Sequence, residues 1–186
     1  MPILPAEPSV YPGQLFGDQA APQMDGRLWH VLHTKPRQEK SLARQLRQSE
    51  LPFFLPLIAR RAMRRGRLQT SYLPLFTGYC FLLASEKERI KALATNRIVR
   101  ALQVPDQGKL WEDLQQIHRL IETGAPITPE GRLIPGALVE IRSGPLTGMK
   151  GVIVRTAKAK RFVVQVDFIQ RGASVELEDY MLARTE

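Results

Sequence analysis

The densest cluster of chemistry-bearing side chains in this 186-residue sequence is Arg60, Arg61, Arg64, Arg65 and Arg67. They fall within eight residues, with no acid among them. Mutual repulsion makes such a run costly unless an anion lies against it. Guanidinium binds phosphate bidentately and stacks on bases, and such contacts weaken as salt rises. The chemistry implied is therefore contact with a polyanion. A second set, Arg37, Lys40, Arg44 and Arg47, recurs at i, i+3, i+7 and i+10, which a helix places on one face. A solvated stripe accounts for that face equally well. Nothing in either set identifies a reader of base sequence.

The residues that usually carry catalysis do not assemble. His30 and His33 stand three apart in the alternating run "WHVLHT", so a strand points them to opposite faces and they share no metal. His118 sits in a helical pattern with no evident partner. Cys80 is the only cysteine, which excludes an intramolecular disulfide and argues against structural zinc. It lies in an apolar run and reads as an inert core thiol. Glu112, Asp113 and Glu122 read as a solvated helix face. G-x-S-x-G, P-loop and G-x-G-x-x-G motifs are all missing. The expectation is a binding protein rather than an enzyme, with no metal and no cofactor.

Composition narrows the partner. A net charge of +9 and a pI near 10.1 suit nucleic acid, an anionic membrane or an acidic protein. No stretch approaches the ~20 apolar residues of a membrane span. The N-terminus lacks the basic and apolar regions of a secretory signal, so the cytoplasm is expected. Residues 27–124 hold 18 Lys and Arg against 8 Asp and Glu, while residues 1–26 hold none against 3. Residues 125–135 balance, and residues 136–186 carry 8 against 6. The first domain is thus the one that meets the polyanion.

The elements that position these residues follow from periodicity. Residues 1–26, with five prolines, read as a disordered or extended tail. "WHVLHT" is a strand and residues 37–50 an amphipathic helix. "FFLPLIARRAMRRGRLQTSYLPLF" is a long hairpin with its tip near Arg65-Gly66. "GYCFLLA" is a strand whose alternation puts Tyr79 and Phe81 on one face. Core packing explains most of the aromatics there, and an exposed docking patch is the functional alternative. Residues 85–95 form a helix with Ser85 and Glu88 spaced as a capping box. "RIVRALQV" is a strand, and residues 110–124 form a helix closed by Gly124. This order, β-α-β-β-α-β-α, predicts an α+β ferredoxin-like sandwich over residues 27–124. Residues 125–135 are a linker by composition. Residues 136–186 hold short strands between Gly and charged turns, as in a small β-barrel.

"WHVLHTKPRQEKSLARQL", "PLFTGYCFLL" and "RIVRALQV" together resemble the N-terminal domain of the NusG family of transcription elongation factors. "PGALVEIRSGPLTGMKGVIV" and "QRGASVELEDYMLA" resemble the SH3-like KOW barrel that follows it, with Gly144, Pro145, Gly148, Gly151 and Val152 as its motif. The resemblance covers residues 27–186. It implies a monomer that binds RNA polymerase across its cleft and promotes processive elongation or antitermination without chemistry. His33, Phe76, Tyr79, Phe81 and Leu102 would form or support an apolar patch for the clamp helices of the largest subunit. Lys35, Arg37, Lys40, Arg44, Arg47 and Arg97 would face upstream or non-template DNA, with the arginine-rich hairpin beside them. The KOW domain would recruit a further factor, Rho or a small ribosomal subunit protein. Thr77 replaces the family's usual proline in "FPGY". The "HTKPRQE" start looks more like specialised, RfaH-like paralogues. In some of these the KOW domain is helical, but Pro145 and the repeated glycines here favour strands. The alternative is a ribosome-associated or free RNA-binding KOW protein that does not act on polymerase.

Overall fold

The structure, a computed structural model, describes residues 7–17, 26–132, 136–155 and 160–177. It divides into two compact units, Met1–Gln107 and Gly108–Glu186. The first contains β1 (Val10–Tyr11), β2 (Leu28–Thr34), α1 (Glu39–Gln48), β3 (Phe53–Phe54), β4 (Leu57–Arg64), β5 (Arg67–Pro74), β6 (Tyr79–Ala84), α2 (Glu86–Leu93) and β7 (Ile98–Gln103). Its main sheet runs β1-β3-β6-β2-β7, antiparallel throughout. Set β1 aside, and β6 lies between the two strands that α1 connects. That is the split βαβ arrangement expected from the element order, and the fold class is α+β. Among the described residues β4 and β5 pair only with each other, as a separate ribbon.

The central strands are nearly continuous apolar runs because both of their faces are covered. On one face Leu32, Phe53, Cys80, Leu82 and Ala84 form a core with Leu42, Ala43 and Leu46 of α1 and Ala92 of α2. The other face buries Trp29, Val31, Phe54 and Phe81. Cys80 is fully buried as expected, its Sγ against the Phe54 carbonyl at 3.7 Å, and burial pushes the thiol up to about 12. α2 opens with the expected capping box: Ser85 Oγ accepts from the Glu88 N–H and the Glu88 carboxylate accepts from the Ser85 N–H. Arg27 also donates to Glu88 through two nitrogens, at 2.7 and 2.9 Å, and holds that carboxyl down at about 2.

Three expectations need correction. The first is the disordered tail. Residues 1–6 and 18–25 lie outside the described residues, but residues 7–17 are built into the first unit. β1 pairs with β3, and Phe16 stacks on Trp29 at 6.2 Å and meets Phe54 edge-on at 4.9 Å. The prolines set the composition, but Leu15 and Phe16 find a place on the apolar sheet. Burying each contributes about 1.5–3 kcal/mol against the ordering of a short segment. The second is the start of the first helix. α1 begins at Glu39, and Arg37 stands in the turn before it with φ 59°. The third concerns Asp113, read as solvated: it is only 2% exposed.

The second unit takes α3 (Gln107–Glu122) from its second residue onward, then β8 (Thr128–Glu130), β9 (Ala137–Glu140), β10 (Lys150–Arg155), β11 (Lys160–Val166), a 3-10 turn (Asp167–Ile169) and β12 (Arg171–Leu177). Its antiparallel sheet runs β8-β12-β11-β10-β9. β8 lies in the segment that composition marks as linker, where it pairs with Gly172–Ser174. Residues 133–135 of that segment, and residues 178–183 of the last expected strand, lie outside the described residues. By sequence α3 closes the first domain, whereas its contacts count it with the second unit. Asp113 Oδ2 accepts the Asp167 N–H at 3.1 Å, Gln116 Oε1 accepts the Lys150 N–H at 2.6 Å, and Arg119 donates to the Thr147 carbonyl at 2.8 Å. Gly124, expected to close this helix, does so with φ 69°. No helix among the described residues is long and apolar enough to cross a membrane.

Candidate functional site

The register of the main sheet gathers one small surface. His33 of β2 is paired with Tyr79 of β6 and with Arg100 of β7. One step further along the same face, Val31 is paired with Phe81 and Leu102. Directly opposed residues share a face of the sheet. His33 is exposed, Tyr79 and Leu102 are half-buried, and the His33 and Tyr79 rings lie 5.5 Å apart, tilted by 41°. Phe81 and Phe76 are buried and meet edge-on at 6.3 Å. Of the five expected docking residues, three reach the surface and two are buried. Val99, where the β2–β7 register shifts, adds an exposed aliphatic side chain.

A glycine turn sets the position of Tyr79. Gly78 has φ 84°, a conformation costly for any residue with a Cβ, and such an atom would stand 3.6 Å from the His33 ring. Its carbonyl accepts the Thr34 N–H at 2.9 Å, and its own N–H donates to Glu39 Oε1 at 2.8 Å. Glu39 is buried at the start of α1. It ties the basic helix to the aromatic turn, and the sequence reading did not single it out. One signal was available: Glu39 is the only acid in "KPRQEKSLARQLRQ".

The expected nucleic-acid residues separate into two kinds. Arg37 and Arg47 are exposed and Lys40 is half-buried. None of these three is ion-paired among the described residues. Others are engaged by their own chain. Arg44 pairs with Glu7 at 2.5 Å, Lys35 donates to Asn96 Oδ1 at 2.9 Å, and Arg97 is half-buried against Gln45, at 2.8 Å, and Gln38. The ribbon arginines Arg60, Arg61, Arg64, Arg65 and Arg67 are all exposed, with the turn at Arg65-Gly66 as expected.

The glycines of the motif expected in the second unit have local reasons. Gly144 and Gly148 take φ 81° and 78° in the loop between β9 and β10, where Pro145 is exposed. The Gly148 N–H returns to the Ile141 carbonyl at 2.7 Å. At Gly151 a Cβ would lie 2.5 Å from the Val163 carbonyl oxygen and 2.7 Å from the Phe162 ring, so the strands approach only because it is missing. Val152 is buried beside it.

His30 is buried in the centre of the sheet, and its Nδ1 has no hydrogen-bond partner among the described residues. Burial holds its pKa below the ordinary 6.5. Among the described residues no group of three or more His, Cys, Asp or Glu is placed to hold a metal. The arrangement offers contact surfaces: an apolar-aromatic patch on the sheet, a basic helix and an arginine ribbon.

Comparison with known proteins gives these surfaces a setting. No match is found among curated proteins. The family model described as transcription termination factor nusG matches residues 27–126, which run from the start of β2 past the end of α3 and make up more than half of the chain. The split βαβ sheet and the matched span agree, and the chain belongs to the NusG family of transcription elongation and termination factors.

Proposed function

We propose that the protein binds RNA polymerase through the His33–Tyr79–Leu102 patch and bridges the clamp, so that elongation becomes processive. The observation that carries this is the patch itself: an aromatic pair left open on a sheet whose other apolar residues are largely buried. An apolar surface of this kind suits the side of a helical hairpin such as the clamp helices of the largest subunit. Phe76 and Phe81 support it from below. Arg37, Lys40 and Arg47 then stand toward upstream or non-template DNA, and the arginine ribbon adds a second cationic surface. Arg44 joins them by exchanging Glu7 for a phosphate. The protein acts by binding, without catalysis and without a cofactor, and as a monomer.

The second unit is read as the KOW barrel that recruits another factor, Rho or a small ribosomal subunit protein. Its five-stranded antiparallel sheet and the tight approach at Gly151 support that assignment. The departures at Thr77 and in the "HTKPRQE" start favour a specialised, operon-specific antiterminator over the housekeeping factor.

Transcription of a template with a defined pause, with and without the protein, tests the function. The pause half-life is expected to shorten with wild type and to stay at the factor-free value with Tyr79→Ala. No effect of wild type at saturating concentration on polymerase of the same source would contradict the proposal. Binding to ribosomal RNA without polymerase would favour the RNA-binding alternative.

A further inference from the structure

The ribbon has two unlike faces. β4 and β5 form eight cross-strand pairs closed by Arg65 and Gly66, with φ 50° and 74°. Eight residues of strand extend about 26 Å. Every residue from Ala59 to Leu73 is exposed, and among the described residues neither strand joins another sheet. One face carries Arg60 opposite Ser71, Ala62 opposite Gln69 and Arg64 opposite Arg67. The other carries Ala59 opposite Tyr72, Arg61 opposite Thr70 and, next to the turn, Met63 opposite Leu68.

Two features of this ribbon are unfavourable in isolation. Arg64 directly faces Arg67, a like-charge pair that weakens a hairpin. None of the five arginines forms an ion pair among the described residues, and no acid occurs between Glu50 and Glu86. Met63 is 66% exposed and Leu68 63%, so a contiguous apolar pair sits at the far end of the ribbon. An occupant that relieves both must be strongly anionic outside and apolar within. A DNA duplex is such a body, with phosphate rims around stacked bases, and β-ribbons enter its major or minor groove.

We propose that this ribbon is a duplex-DNA arm that lies in a groove with its Met63–Leu68 pair inserted at a base step. With that face toward the groove floor, Arg60, Arg64 and Arg67 on the outer face reach sideways to the two phosphate rims. Arg61 and Arg65 flank the inserted pair. Partial unstacking by such apolar wedges kinks a duplex by roughly 20–90°. The inference rests on the proposed function for its setting, in which the protein works beside DNA.

The test uses the full chain and a 30-base-pair duplex labelled at both ends for energy transfer. Transfer is expected to rise on binding. Met63→Ser combined with Leu68→Ser should keep the dissociation constant within about 3-fold and abolish the rise. Arg64→Ala combined with Arg67→Ala should lower the salt slope of binding by about 2. All four positions are exposed, and thermal melts check that the variants fold. Binding of wild type without a change in transfer would overturn the proposal, as would bending by the serine variant. So would preference for the single strand or for phosphatidylserine vesicles. Retention on RNA polymerase is measured in parallel. Lost bending with retention intact sinks only the arm, while lost retention with bending intact sinks only the polymerase reading.

Discussion

Glu39 and Gly78 show how much one contact decides. The Glu39 carboxylate is the acceptor for the Gly78 N–H, and that turn delivers Tyr79 beside His33. Glu39→Ala leaves a part-buried N–H unpaired and is expected to cost about 1–3 kcal/mol in a urea melt. It should also weaken polymerase binding, because Tyr79 loses its anchor. His30 gives a pH signature. Its folded pKa lies below its ordinary value, so its contribution to stability is complete above pH 6.5 and is lost as pH falls through the folded value. Replacing His30 by Gln should flatten the fall in melting temperature between pH 7 and 5. Glu88 acts in a separate window. Its carboxyl is held at about 2, so its contribution is present above 4.5 and fades as pH drops toward 2. Glu88→Gln removes the charge of the capping-box carboxylate and its pair with Arg27, and should cost about 1–2 kcal/mol at pH 7 while flattening the acid limb.

At the scale of elements, legibility followed local signals. The hairpin and its turn were readable because an arginine-rich run with one glycine sat between two apolar segments, but its expected base is not part of it: Phe53-Phe54 pairs into the main sheet and the hairpin starts at Leu57. α2 was readable from its cap. The start of α1 was not, because the helical spacing of its charges extends two residues beyond the helix, to Arg37. β1 and β8 escaped because two or three residues in proline-rich surroundings carry no period, and tertiary pairing alone makes them strands. The same close pairing gives a prediction for the second sheet. Gly151→Ala places a methyl 2.5 Å from the Val163 carbonyl oxygen, and should destabilise the second unit by about 1–3 kcal/mol or more. Calorimetry of the full chain should then show the transition of that unit shifted down.

For the whole molecule, the sequence carried the family and the fold class of the first unit, because the apolar runs of the core strands and the order of elements are both local patterns. The proposed docking patch was legible only as a list. Which of His33, Phe76, Tyr79, Phe81 and Leu102 stand open depends on cross-strand register and on the neighbours that cover Phe76 and Phe81. Likewise the excess of Lys and Arg in residues 27–124 pointed to a polyanion. The internal partners of Arg44 and Arg97 appear only once Glu7, Gln38 and Gln45 are in place. The central claim joins the open aromatic pair to polymerase. Co-elution of the purified protein with core RNA polymerase at moderate salt, wild type against Tyr79→Ala, tests it most directly. Wild type is expected to co-elute and Tyr79→Ala to elute free, with a cooperative thermal melt showing that the variant is still folded. Equal retention of both would contradict the assigned patch, and failure of wild type to bind either core polymerase or a paused elongation complex would contradict the account as a whole.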